Sequence, residues 1–209
     1  MSASLARIFG DKGSGNRQKV KLTADFLAMA YAWVYVGVTK GEQRTQAFLA
    51  RNPFGQGLVV EFADGRHLAQ SNAMIRHLAR GSALLPSDPF DEAKCDAWMF
   101  WEQCSHEPYV AAARHQMVYH RKTASQRDAR GVERGEKALD LMERLIANAR
   151  FFVGDRFSVA DIALLRYTRL AHEGAFDLSA RPGLRAWIAR CENEWKLPRT
   201  RPASDDKRH

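Results

Sequence analysis

The spacing of apolar positions changes period several times in the first eighty residues. Leu5, Ile8 and Phe9 lie in a short apolar run that predicts a buried strand over residues 5–10. Residues 11–16 are polar and glycine-rich and predict a loop. From Arg17 onward, Val20, Leu22, Ala24, Leu27 and Ala28 recur at helical spacing. Residues 33–38 are aromatic and β-branched and predict a second strand. Residues 45–50 predict a short helix, stopped at Asn52-Pro53 because the residue before proline is pushed out of the helical region. Two further strands are expected over 58–62 and 66–69, joined by Asp64-Gly65, a dipeptide suited to a tight hairpin turn. Ser71 is expected to cap a helix that runs through Ile75 and Leu78 to residue 80.

Beyond residue 81 the period is almost entirely helical. Gly81, Pro86 and Pro89 mark a linker. Residues 91–119 predict a long helix bent near Pro108. Residues 126–148 predict another, with Val132, Leu139, Met142 and Ile146 on one stripe. In the run Phe157-Ser158-Val159-Ala160-Asp161-Ile162, Ser158 and Asp161 have the spacing of a reciprocal cap, and Phe157 and Ile162 that of a hydrophobic staple. Pro182 stands at the first position of a helix over 183–194, where its missing N–H costs nothing. The predicted architecture is α+β. A thioredoxin-like βαβ-α-ββα domain spans 1–81, an all-helical bundle spans 88–200, and a basic tail spans 201–209.

Composition narrows the function classes. The 45% hydrophobic and 27% charged fractions suit a folded chain of 209 residues. A net charge of +8 fits nucleic acid, a membrane surface or an anionic small molecule. The basic stretches at 121–122, 127–134 and 196–209 contain acids and lack aromatic interleaving or a nucleic-acid reading motif, so a solvated basic surface with no nucleic-acid partner is expected. Cys95, Cys104 and Cys191 form no CxxC pair and no metal spacing, and an odd number cannot pair completely. Reduced cytoplasmic thiols and no metal are the simplest expectation. The first nine residues lack a signal-peptide apolar run, and no apolar stretch reaches the roughly 18 residues of a membrane span.

Four local patterns then fall into one order. They are the loop Gly10-Asp11-Lys12-Gly13-Ser14-Gly15-Asn16, the turn Asn52-Pro53-Phe54-Gly55-Gln56, the segment Gln70-Ser71-Asn72-Ala73-Met74-Ile75 and the cap Ser158-Val159-Ala160-Asp161-Ile162-Ala163. In that order they resemble the glutathione S-transferases over residues 5–195, nearest to bacterial, theta- or zeta-like, serine-type members. The resemblance implies glutathione as co-substrate, a small hydrophobic electrophile as its partner, a role in detoxification and a homodimer.

Glutathione carries two carboxylates, an ammonium and a thiol whose thiolate is the attacking form. The resemblance implies that Ser14, just before a helix, stabilises that thiolate by a hydrogen bond, with Asn16 as the secondary candidate. Ser14 also reads as an ordinary helix cap. Gln70 and Ser71 are implied to hold the γ-glutamyl group, since a helix start with a serine suits a carboxylate. Gln56, Gly57 and Leu58 are implied to run beside the cysteinyl amide. Leu58 departs from the family, which has a cis-proline there. A non-proline cis bond costs roughly 2.5–4 kcal/mol, so the Gly57–Leu58 bond is expected to be trans, or cis under strain.

Tyr109, Arg114 and His106 are implied to line the electrophile site. Although His106 and Glu107 look like an acid–base pair, adjacent residues on a helix point in different directions. Phe54 is a candidate dimer contact or a simple loop aromatic. Two functions stay open. One is a glutathione transferase, with isomerase or dehalogenase chemistry as variants. The other is a non-catalytic binding protein of the same fold, favoured by Leu58.

Overall fold

The structure, a computed structural model, describes residues 4–11 and 13–196; Lys12 and the expected tail lie outside the described residues. The chain divides after Leu85 into two compact units.

In the first unit, β1 (Leu5–Gly10) is followed by α1 (Gly15–Phe26), β2 (Ala32–Tyr35), α2 (Gln46–Leu49), β3 (Val59–Phe62), β4 (His67–Leu68) and α3 (Ser71–Leu78). The sheet order is β2-β1-β3-β4. β1 pairs parallel with β2 and antiparallel with β3, and β3 pairs antiparallel with β4. Helix α1 packs against α3. Val20 and Ala24, four residues apart, are fully buried, as are Ile8, Val59 and Val60 on the strands. Each such side chain contributes about 1.5–3 kcal/mol on burial. Phe9, Val36, Phe48 and Val59 form one cluster under the sheet.

Two boundaries differ from the sequence expectation for reasons of hydrogen bonding. β2 ends at Tyr35 instead of residue 38, because the Gly37 N–H is captured by the Glu42 carboxylate at 2.6 Å and residues 38–40 coil into a 3-10 turn. α1 begins at Gly15, two residues earlier than expected, with Ser14 at its cap.

The second unit contains α4 (Pro89–Trp101), α5 (Glu107–Val118), α6 (Ala129–Ile146), α7 (Val159–Thr168) and α8 (Pro182–Glu194). Asp88 caps α4 by accepting from Asp91 N. The expected bend near Pro108 takes the form of a π turn over Glu102–His106 between α4 and α5. Proline lacks the N–H that would reach back one turn, and its ring crowds the carbonyl four residues earlier, so the preceding turn widens. α6 starts at Ala129 instead of 126, because Asp128 accepts from Gly131 N at 2.6 Å and residues 124–126 form a separate 3-10 turn.

The expected cap at Ser158 forms, with Asp161 reaching back to the Ser158 N–H at 3.0 Å. Asp161 Oδ1 also accepts from Phe152 N and from the buried indole of Trp187 on α8 at 2.9 Å. One carboxylate thus joins the start of α7, the preceding loop and α8. Among the described residues no helix is long and apolar enough to cross a membrane.

Candidate functional site

The first unit brings together the loop after β1, the turn before β3 and the start of α3. Ser14 is the cap residue of α1, with extended backbone (φ −67°, ψ 128°). Its carbonyl accepts from Gln18 N, but its hydroxyl makes no capping bond to the helix. The hydroxyl is therefore half-buried at a helix start, where the first N–H groups lack intrahelical partners and the dipole favours negative charge. Asn16 lies inside the first turn of α1, so Ser14 is the candidate at the helix start.

Glycines hold this loop against the turn at 52–58. A Cβ on Gly10 would lie 2.8 Å from Arg17 Cδ and 3.5 Å from the Gly57 carbonyl oxygen. A Cβ on Gly57 would lie 2.2 Å from Val38 Cγ2. A side chain at position 57 would force Val38 to shift, so Gly57 fits a place where space is short. Every peptide bond among the described residues is trans, that between Gly57 and Leu58 included.

The turn itself is pinned by Asn52, the first residue of the Asn52-Pro53-Phe54-Gly55-Gln56 pattern. Asn52 is fully buried. Its Nδ2 donates to the carbonyls of Gln56 at 2.7 Å and Leu58 at 3.0 Å, and its Oδ1 accepts from Phe54 N at 3.1 Å. One amide thereby replaces three backbone partners and sets the path of Gln56, Gly57 and Leu58. Phe54, at the tip, is 63% exposed.

At α3 the structure corrects the expected cap. Gln70, not Ser71, is the cap residue, and its carbonyl accepts from Met74 N. Ser71 is the first helical residue and is buried. Gln70 has φ 69° and ψ 112°, a conformation that side-chain-bearing residues rarely adopt. Such a residue costs on the order of 1–3 kcal/mol and persists where surrounding structure imposes it. Its Nε2 donates to Gln56 Oε1 at 3.1 Å. Two expected glutathione contacts, far apart in sequence, therefore meet.

The three residues expected at an electrophile wall occupy different settings in the helical unit. His106 is fully buried, with Nε2 3.0 Å from Thr168 Oγ1, which itself donates to the Leu164 carbonyl. Its expected place on a wall gives way to a core hydrogen bond at the end of the π turn. The Tyr109 hydroxyl accepts from Arg134 at 2.7 Å. Arg114 donates to Glu173 and keeps little exposed surface. Glu107 accepts from Gln103 at 2.6 Å, while the His106 ring faces Thr168.

The three cysteines are free thiols, Cys95 and Cys191 buried and Cys104 exposed. Burial pushes the Cys95 and Cys191 thiols up, away from thiolate character. Among the described residues no group of three or more His, Cys, Asp and Glu side chains is arranged to hold a metal ion.

A four-stranded thioredoxin-like unit with a serine-capped first helix, joined to an all-helical unit with the Ser158–Asp161 cap, defines a glutathione-transferase class of fold. A family model for the glutathione S-transferase C-terminal domain matches residues 116–190. A solved glutathione S-transferase from Pseudomonas fluorescens is 42% identical, with a TM-score of 0.87 over 94% of this chain and 97% of that one. One from Xanthobacter autotrophicus is 35% identical, with a TM-score of 0.87 over 95% and 98%. The glutathione S-transferase GstB of Escherichia coli K12 is 29% identical over 193 residues, 88% of this chain and 91% of that protein. The chain belongs to the glutathione S-transferase family.

Proposed function

We propose that the chain is a catalytically active glutathione transferase of the serine type. The observation that carries this reading is the start of α3. Gln70 is held in a costly backbone conformation and is tied to Gln56, directly before the buried Ser71. Strain maintained at a helix start fits a residue that serves a ligand.

In this reading the γ-glutamyl carboxylate sits on the Ser71 N–H and hydroxyl, where the helix start favours an anion. The ammonium donates to the Gln70 amide oxygen, since the Gln70 Nε2 is engaged with Gln56. The cysteinyl amide runs beside Gly57 and Leu58 on a trans backbone pinned by Asn52. Ser14 donates to the sulfur, so the thiol loses its proton near neutral pH. The thiolate then attacks the electrophile; a C–S bond forms and the leaving group departs with its electron pair. The free thiols fit a reducing compartment such as the cytoplasm. A homodimer with Phe54 at the contact belongs to the same reading.

Titration of glutathione by calorimetry, followed by turnover of an activated aromatic halide, tests it. Binding at micromolar to millimolar glutathione with turnover is expected. No binding at several millimolar removes the reading. The second reading, a binding protein without turnover, rests on Leu58 in place of proline. Saturable binding with no rate above the uncatalysed reaction selects it.

A further inference from the structure

We propose that the helical unit holds a second binding site, in which Arg166, flanked by Arg114 and Arg169, takes the carboxylate of a small organic monoanion. The site stands on the helical unit alone. That its occupant is the electrophilic co-substrate rests on the transferase reading above.

Arg166 and Arg169 are three apart on α7 and so share a face, and Arg114 comes from α5. The flanking arginines are matched by acids. Arg114 Nε donates to Glu173 Oε2 at 2.5 Å. Arg169 meets Glu192 with Nε at 2.9 Å and Nη2 at 2.8 Å. Arg166 is different. Its Nε is shielded from water without a hydrogen-bond partner, and its guanidinium makes no ion pair among the described residues. Three guanidinium groups against the carboxylates of Glu173 and Glu192 leave one positive charge uncompensated.

That charge is real at neutral pH. Burial first, then repulsion from Arg114 and Arg169, lowers the Arg166 pKa to about 10 against the weaker attraction of Glu173, whose carboxylate is bonded to Arg114; Arg166 stays protonated. Holding an unpaired, half-buried cation beside two others opposes folding. The run Ile162-Ala163-Leu164-Leu165 before it is entirely buried, so the helix does not need a charge at this place. The supporting wall is rigid. A Cβ on Gly174 would come 3.0 Å from the Arg114 backbone nitrogen, so the 171–174 turn that carries Glu173 lies tight on α5.

A guanidinium fork matches the two oxygens of a carboxylate. A single surplus charge matches a monoanion better than a phosphate dianion. Perturbed titratable groups with a geometric reason mark binding sites more often than chance positions do.

Calorimetry with benzoate and its uncharged isostere benzamide, without glutathione, tests the site. Benzoate should bind wild type at least about tenfold more tightly than benzamide, the effect of one hydrogen bond to a charged group. Arg166→Gln should erase that preference and Arg166→Lys should keep part of it. Thermal unfolding of Arg166→Gln should give a Tm equal to or above wild type, since an unpaired charge is removed. Wild type that treats the two probes alike overturns the proposal without any variant. So does an Arg166→Gln protein that keeps the preference, or one with a lowered Tm, which would make Arg166 a structural residue. Inorganic phosphate at pH 8 binding more tightly than benzoate overturns the monoanion assignment. A benzoate preference without glutathione binding leaves this site standing and removes the transferase reading. Glutathione binding with no benzoate preference does the reverse.

Discussion

At the scale of single residues, Ser14 and Gln70 carry the proposed chemistry by different physics. The Ser14 hydroxyl is not spent on its own helix, so a bond to a thiolate costs the fold nothing. Ser14→Ala should lower kcat/KM for glutathione conjugation at neutral pH by roughly 10- to 100-fold, the loss of one charge-assisted hydrogen bond. The rate should recover as pH rises and the thiol ionises unaided. A pH–rate profile with an unmoved midpoint would assign Ser14 a structural place only. Gln70 is the opposite case, since its backbone is strained in the native state. Gln70→Gly should raise stability by about 1 kcal/mol through relief of positive φ, set against the lost Gln56 bond, while weakening glutathione binding. Denaturant titration and calorimetry on one preparation would reveal that opposition. The strain was not legible in the sequence. Gln-Ser before an apolar run reads as a serine cap, and nothing local marks the φ of 69° that Gln70 adopts in the fold.

Among elements, the cap of α7 was legible, and its wider role was not. The spacing of Ser158 and Asp161 is local information. The bonds from Phe152 N and Trp187 Nε1 depend on where the preceding loop and α8 pack. Both Asp161 oxygens are occupied, so Asp161→Asn leaves two donors facing an NH2 group. A loss of roughly 2–4 kcal/mol is expected at neutral pH, measured by denaturant unfolding. Asp161 also titrates unusually. Burial raises its pKa from 3.8 to about 6, against the four hydrogen bonds that favour the carboxylate. The folded state then holds a proton more tightly than the unfolded state between those two values. The stabilisation is complete below the lower value and is lost as pH rises through about 6. From pH 5 to pH 7 this group should lower stability by about 1 kcal/mol, a slope absent from Asp161→Asn. His115 acts in the other direction in that window, because burial, then His120 and Arg114, hold its pKa down. Subtraction of the variant's profile from wild type isolates Asp161.

For the whole molecule, the +8 charge acquires a location. Much of the surplus is solvated, but one uncompensated guanidinium is built into the helical unit at Arg166. The sequence marked Arg114 as a site candidate and passed over Arg166, since an arginine after an apolar run looks like any helix-surface arginine. Phe54 belongs to this scale as well. It is 63% exposed at the tip of a turn that Asn52 holds rigid, a form suited to insertion into a second copy. In the homodimer proposed above, Phe54→Ala should shift light-scattering mass toward the monomer at micromolar concentration. An unchanged dimer would remove Phe54 from the contact.

Local signals decided what needed only neighbours in sequence. The βαβ-α-ββα order, the helical second half, the Asp64-Gly65 hairpin and the Ser158–Asp161 cap all follow from period, turn chemistry and spacings of three or four residues. Tertiary structure decided everything that joins distant segments. It set Asn52 across the 52–58 turn, met Gln70 with Gln56 and brought Gly57 close against Val38. It also turned His106 into the core and left the Arg166 Nε without a hydrogen-bond partner. The reason is physical. A hydrogen bond or charge pair between remote segments is fixed by packing, and a single sequence carries no periodic trace of which residues packing will bring within 3 Å or so of each other.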